Sequence, residues 1–118
     1  MTDELKQTIK KLVVEGKGFL AADESVNTAT KRLASINVES TEETRRQYRN
    51  LILTAPEIEK YICGVILFEE TLKQKTDSGI LFPEHLAKLG VVPGIKVDQG
   101  MTELNGTAEQ YTKGLEGL

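Results

Sequence analysis

The sequence predicts an α/β fold, a parallel β-sheet with helices packed on it. Two observations carry this. Three apolar runs, Phe19–Ala22, Tyr61–Phe68 and Val91–Val97, alternate with segments of helical period. Tyr61–Phe68 is continuous rather than alternating, which is the pattern of a strand buried on both faces. Phe19–Ala22 reads as a short buried strand, and Val91–Val97 is interrupted by Pro93-Gly94. Buried strands that alternate with helices are joined by crossovers and therefore lie parallel.

The elements follow in order. Leu5, Ile9, Leu12 and Val13 recur at helical spacing between Lys6, Lys10 and Lys11, so residues 3–15 read as an amphipathic helix. Gly16-Lys17-Gly18 ends it, because glycine takes the left-handed conformation of a helix terminus without a Cβ clash. Phe19-Leu20-Ala21-Ala22 is the first strand, and a short helix follows over residues 28–35. Ser40 and Glu43 have capping-box spacing for a longer helix with an apolar stripe of Tyr48, Leu51, Ile52 and Ala55, and Pro56 closes it. Tyr61–Phe68 is the strongest strand signal. Thr76-Asp77-Ser78-Gly79 reads as a turn, and Phe82-Pro83 opens a short helix that ends at Gly90. Pro93-Gly94 makes the entry to the third strand irregular. Residues 99–118 read as a glycine-spaced loop running into the start of another helix.

Composition narrows the function. The 118 residues make one domain or a piece of a larger one, and 39% hydrophobic with 28% charged residues is a globular composition. The net charge of −3, from 15 basic and 18 acidic residues, argues against nucleic acid as a partner. One cysteine leaves no intramolecular disulfide and fits a reducing compartment. The longest apolar run has 8 residues, too short to span a membrane, and MTDELKQTIKKL is unlike a secretory signal. The expected location is the cytoplasm.

Each apolar run meets charge on its C-terminal side: Asp23-Glu24, Glu69-Glu70, and Lys96 with Asp98. Parallel strands present these ends at one rim, where ligands of α/β folds bind. Lys96, between Ile95 and Val97, needs a counter-ion if its ammonium is partly buried. Asp23, Asp98 or a substrate phosphate could serve, so a structural ion pair and an anion site both fit. Ser25, Thr28, Lys31 and Arg32 follow the first strand closely; hydroxyls and N–H groups at a helix N-terminus suit phosphate, and arginine adds a bidentate fork. Capping by Thr28 and a solvated Lys31-Arg32 pair is the competing reading. Glu42, Glu43, Arg45, Arg46 and Arg49 read as a solvated helix face. Cys63 reads as a core residue, and a lone His85 makes no metal site.

These residues resemble a known family. Gly16 through Ser25 with Lys31-Arg32-Leu33, Thr41-Glu42-Glu43 with Arg45-Arg46 and Tyr48-Arg49, Gly64 through Leu72, Pro93 through Asp98, and Gly114 through Leu118 are similar, in order and spacing, to class I fructose-bisphosphate aldolase. The resemblance covers residues 16–118. It implies the first three βα units of a TIM (β/α)₈ barrel, with residues 1–118 the incomplete N-terminal part of a single barrel domain. It also implies reversible cleavage of fructose 1,6-bisphosphate to dihydroxyacetone phosphate and glyceraldehyde 3-phosphate through a lysine Schiff base, with no metal and no cofactor. Asp23 matches a catalytic aspartate and Lys96 an active-site lysine; Ser25, Thr28 and Arg32 match positions near a substrate phosphate, and Arg45 a substrate-associated arginine. The Schiff-base lysine belongs to a strand beyond Leu118. A homo-oligomer, a tetramer in many relatives, is the expected assembly. Three departures bear on affinity: Val26-Asn27 stands in place of Thr-Gly, Thr28 in place of serine, and Gln99 in place of lysine. The alternative function is a truncated, non-catalytic module with weak sugar-phosphate binding.

Overall fold

The computed structural model describes residues 1–118. Its centre is a parallel sheet of β1 (Gly18–Ala22), β2 (Ile62–Leu67) and β3 (Val92–Ile95), in that spatial order. The predicted α/β class and parallel sheet are therefore present. Before β1 lies α1 (Asp3–Leu12); α2 (Val26–Ala34), α3 (Glu42–Leu53) and the short α4 (Ile58–Tyr61) connect β1 to β2. A 3-10 turn (Glu69–Lys73) and α5 (Phe82–Lys88) connect β2 to β3.

Several boundaries move for physical reasons. Helix α1 stops at Leu12 rather than 15, since Val13 leaves the helical region and its N–H closes the last turn on the Ile9 carbonyl. Helix α2 begins two residues earlier than expected because Ser25, not Thr28, is its N-cap, accepting from the Thr28 N–H at 3.3 Å. The capping box of α3 is built by Thr41 and Thr44 rather than Ser40 and Glu43: the Thr44 N–H donates to Thr41 Oγ1 at 3.1 Å and the Thr41 N–H to Thr44 Oγ1 at 2.8 Å. Its apolar stripe turns accordingly. Leu53 is fully buried while Leu51 is 74% exposed.

The core lies between α3, α5 and one face of the sheet. Ala22, Leu53, Val65, Leu67, Phe82, Leu86 and Val91 form it. Burying each large member contributes about 1.5–3 kcal/mol. Cys63 is buried, as expected of a core residue, and its thiol donates to the carbonyls of Leu12 and Gly18. The opposite face is sparsely covered. Phe19 and Ile66 stay exposed there, with the Leu12 side chain of α1 closing over Gly64.

Residues 99–118 depart most from expectation. No helix begins there; β4 (Met101–Glu103) and β5 (Gln110–Thr112) pair as an antiparallel hairpin. Its base is fixed by the Gln99 N–H on the Lys113 carbonyl at 2.9 Å and the Lys113 N–H on the Gly100 carbonyl at 2.8 Å. Gly114 makes that closure possible: at φ +87°, an added Cβ would lie 2.9 Å from both the Gln99 nitrogen and the Val97 carbonyl oxygen.

Candidate functional site

The site is set by strand register. Ala22 pairs with Leu67, and Leu67 with Ile95, so Asp23, Phe68 and Lys96 stand in line one step beyond. Side chains alternate along a strand, and Ala22 and Leu67 point into the helical layer. Asp23 and Lys96 turn to the other face, where they meet, while the Phe68 ring lies beside α3. The Lys96 N–H continues the ladder to the Leu67 carbonyl at 2.9 Å, which holds this line in place. All three residues line one cleft of about 730 Å³ at the carboxyl ends of the strands. The cleft is completed by Glu24, Ser25, Asn27, Thr28 and Arg32 from the β1–α2 segment, and by Asp98, Gln99 and Gly100 from the base of the hairpin.

Charge in the cleft is paired. The Lys96 ammonium donates to the Asp98 carboxylate and lies 3.5 Å from Asp23 Oδ2. Each of the three side chains is 27–30% exposed. The hydrogen bond to Asp98, with the nearby Asp23 charge, holds Lys96 above the ordinary lysine value of 10.5. Asp98 is held below its ordinary value by Lys96 and by the Gly100 N–H, which donates to it at 3.0 Å. Lys96 is consequently a fixed cation at neutral pH. As a cation, Lys96 can contact negative charge on a ligand that enters the cleft.

Facing it is a loop with the hardware for an anion. Ser25 Oγ and Thr28 Oγ1 share a hydrogen bond of 3.2 Å at the N-terminus of α2, where Ser25 Oγ also caps the Thr28 N–H, and both residues line the cleft. Arg32, one turn further on, donates to the Glu24 carboxylate and to the Tyr48 hydroxyl at 2.9 Å. Those two contacts hold the guanidinium at the cleft wall while its side chain stays 54% exposed. Lys31 points to solvent and does not line the cleft.

Asp23, Lys96, Ser25, Thr28 and Arg32 are thus brought together. Arg45 is not. Its guanidinium grips Glu70, at 3.0 Å from Nε and 2.6 Å from Nη2, and donates to Ser40 Oγ at 3.1 Å. Glu69 and Glu70 do not reach the cleft either; Phe68 is the contribution of β2. Glu70 instead turns to α3, where Arg45 and Arg49 hold its carboxyl below the ordinary range. The helix face read as solvated is in part interior: Arg49 is 3% exposed. Its signal in the sequence is the four-residue spacing to Leu53, which marks the buried stripe of α3. No group of three His, Cys, Asp or Glu side chains is placed to hold a metal.

Known proteins share this arrangement of elements. The family model described as fructose-bisphosphate aldolase class-I matches residues 4–118. A fructose-bisphosphate aldolase of Echinococcus multilocularis is 55% identical over 98% of this chain and 32% of its own length. The cytoplasmic isozyme of fructose-bisphosphate aldolase from Cicer arietinum is 55% identical over 98% of this chain and 33% of its own. A crystal structure of fructose-bisphosphate aldolase from Plasmodium falciparum superposes with a TM-score of 0.89 at 46% identity, covering 98% of this chain and 33% of that one. The chain spans about a third of the length of the relatives it matches. With five colinear sequence blocks, a shared fold and a match over nearly its whole length, this chain belongs to the class-I fructose-bisphosphate aldolase family.

Proposed function

We propose that this chain forms the first three strands of a (β/α)₈ barrel and one wall of a sugar-bisphosphate cleft, in an enzyme that reversibly cleaves fructose 1,6-bisphosphate to dihydroxyacetone phosphate and glyceraldehyde 3-phosphate. The observation that carries the reading is a single cleft in which Lys96, set between Asp23 and Asp98, faces the Ser25–Thr28 helix terminus and Arg32. Family membership supports the reaction class. In this reading a lysine on a strand beyond Leu118 forms an iminium with the substrate ketone. The C4 hydroxyl gives up its proton, the C3–C4 bond breaks, and the electron pair enters the iminium. Asp23 assists proton transfer in forming and resolving the carbinolamine. Lys96 holds positive charge beside the reacting carbons, and Ser25, Thr28 and Arg32 take a phosphate.

The name of the Cicer arietinum relative supports a cytoplasmic location, and no helix is long and apolar enough to cross a membrane. Homo-oligomeric assembly belongs to the same proposal and is read by light scattering on the full-length protein. The reaction is tested on the full-length gene product with EDTA present. It should cleave fructose 1,6-bisphosphate and lose activity when borohydride is added together with dihydroxyacetone phosphate, because reduction traps the imine. Full activity after that treatment would contradict a Schiff-base mechanism.

A further inference from the structure

Arg49 lies behind the cleft wall without lining it. Its guanidinium is buried and meets four groups: the Glu70 carboxylate, Gln74 Oε1 at 2.8 Å, the main-chain carbonyl of Glu24 at 3.5 Å, and the face of the Phe68 ring, whose centroid is 5.9 Å away. Glu24 and Phe68 both line the cleft. Glu24 sits between Asp23 and Ser25, and its own carboxylate holds Arg32.

The neutral contacts of Arg49 show that it is more than a counter-ion. Arg45 already meets Glu70 through two nitrogens, at 3.0 and 2.6 Å. Glu42 adds negative charge near Arg45, whereas Arg49, at 3% exposure, has to share Glu70. A buried guanidinium that shares its carboxylate also needs neutral dipoles. The Glu24 carbonyl, the Gln74 side-chain carbonyl and the Phe68 π-face are those dipoles. These contacts tie the main chain at the end of β1 and the ring at the end of β2 to one fixed point.

We infer that Arg49 is a positioning residue: it sets the Glu24 backbone so that the Glu24 carboxylate presents Arg32 for phosphate binding. The inference rests on the phosphate-binding reading of the cleft given above. Lysine at this position would keep the charge but lose the planar fork that reaches several partners at once. The test is steady-state cleavage of fructose 1,6-bisphosphate by the full-length protein as wild type, Arg49→Lys, Arg32→Ala and the double variant. Arg49→Lys should raise KM by about tenfold with kcat changed by less than about threefold, as expected when a binding group is displaced rather than removed. In the Arg32→Ala background the same change should raise KM by less than about twofold, because Arg49 acts through Arg32. An Arg49→Lys variant with a lowered melting temperature but unchanged KM would overturn the inference, and so would effects that multiply in the double variant. If Arg32→Ala itself leaves KM unchanged, the phosphate reading fails instead, and the two failures are told apart. Should Arg49→Lys lack the native circular-dichroism spectrum, Gln74→Met decides. It removes one acceptor of the guanidinium and should raise KM by about two- to threefold only when Arg32 is present; no rise overturns the proposal.

Discussion

Lys96 shows how a side chain that is costly to bury becomes useful. Two carboxylates flank it, and their attraction outweighs the penalty of partial burial, so its proton is held more tightly than in water. The sign of the pH effect follows. A raised pKa means that the positive charge and the stabilisation it brings are fully present below 10.5 and are lost as pH rises through the higher folded value. Substrate affinity should therefore be insensitive to Lys96 titration across the neutral range. Lys96→Ala should weaken binding and turnover of the bisphosphate together in steady-state kinetics; unchanged constants would make Lys96 a structural ion pair only. Glu70 gives the opposite sign. The Arg45 hydrogen bond, then Arg49, depress its pKa below 4.5, so its contribution is present above that value and is lost as pH falls through the lower folded one. Glu70→Gln should lower the melting temperature at neutral pH, and the gap to wild type should narrow once pH drops below 4.5. A gap of constant size at both ends would remove the ionised Glu70 from the stability of the fold.

At the scale of elements, α3 carries the most structural consequence. Its rotation decides that Arg45, Arg49 and Leu53 face inward while Leu51 faces solvent. Leu53→Ala should cost about 2–5 kcal/mol of unfolding free energy, against less than about 0.5 kcal/mol for Leu51→Ala. Equal losses in denaturant titrations would mean that the helix sits in another rotation. Periodicity alone does not fix that rotation, because Tyr48, Leu51, Ile52 and Ala55 form a self-consistent stripe and arginines look solvated until their partner Glu70 is in view. The three strands are legible because an apolar run bounded by turn residues and charge reads as a strand, and from these strands the rim holding Asp23 and Lys96 follows. The expected burial on both faces is not met, since Phe19, Ile66 and Ile95 stay exposed. The hairpin escapes the pattern, although Asn105-Gly106 is a strong turn signal: both residues take positive φ, 48° and 73°. Its strands are only three residues each and fully or partly exposed, so no buried alternation marks them. Likewise, the two carboxylates after β2 look like rim groups, but a 3-10 turn starting at Glu69 carries Glu70 away to α3.

The whole molecule is a half-covered sheet. Helices bury one face, while Phe19 at 60% and Ile66 at 38% exposure leave the other largely open beside the cleft. Open strand edges and an exposed apolar face are unfavourable for an isolated unit. Both are accounted for if further strands of a barrel close over them, which agrees with a chain spanning about a third of its relatives. In the proposed reading the cleft would be one wall of a site whose opposite wall would carry the imine-forming lysine, and Asp23 would need both walls to act. The most direct measurement is the turnover of full-length protein carrying Asp23→Ala with fructose 1,6-bisphosphate. Loss of proton transfer predicts a kcat lower by roughly 10²–10⁴-fold with the native circular-dichroism spectrum retained. Turnover close to wild type would contradict the assignment of this cleft as the site of carbon–carbon cleavage.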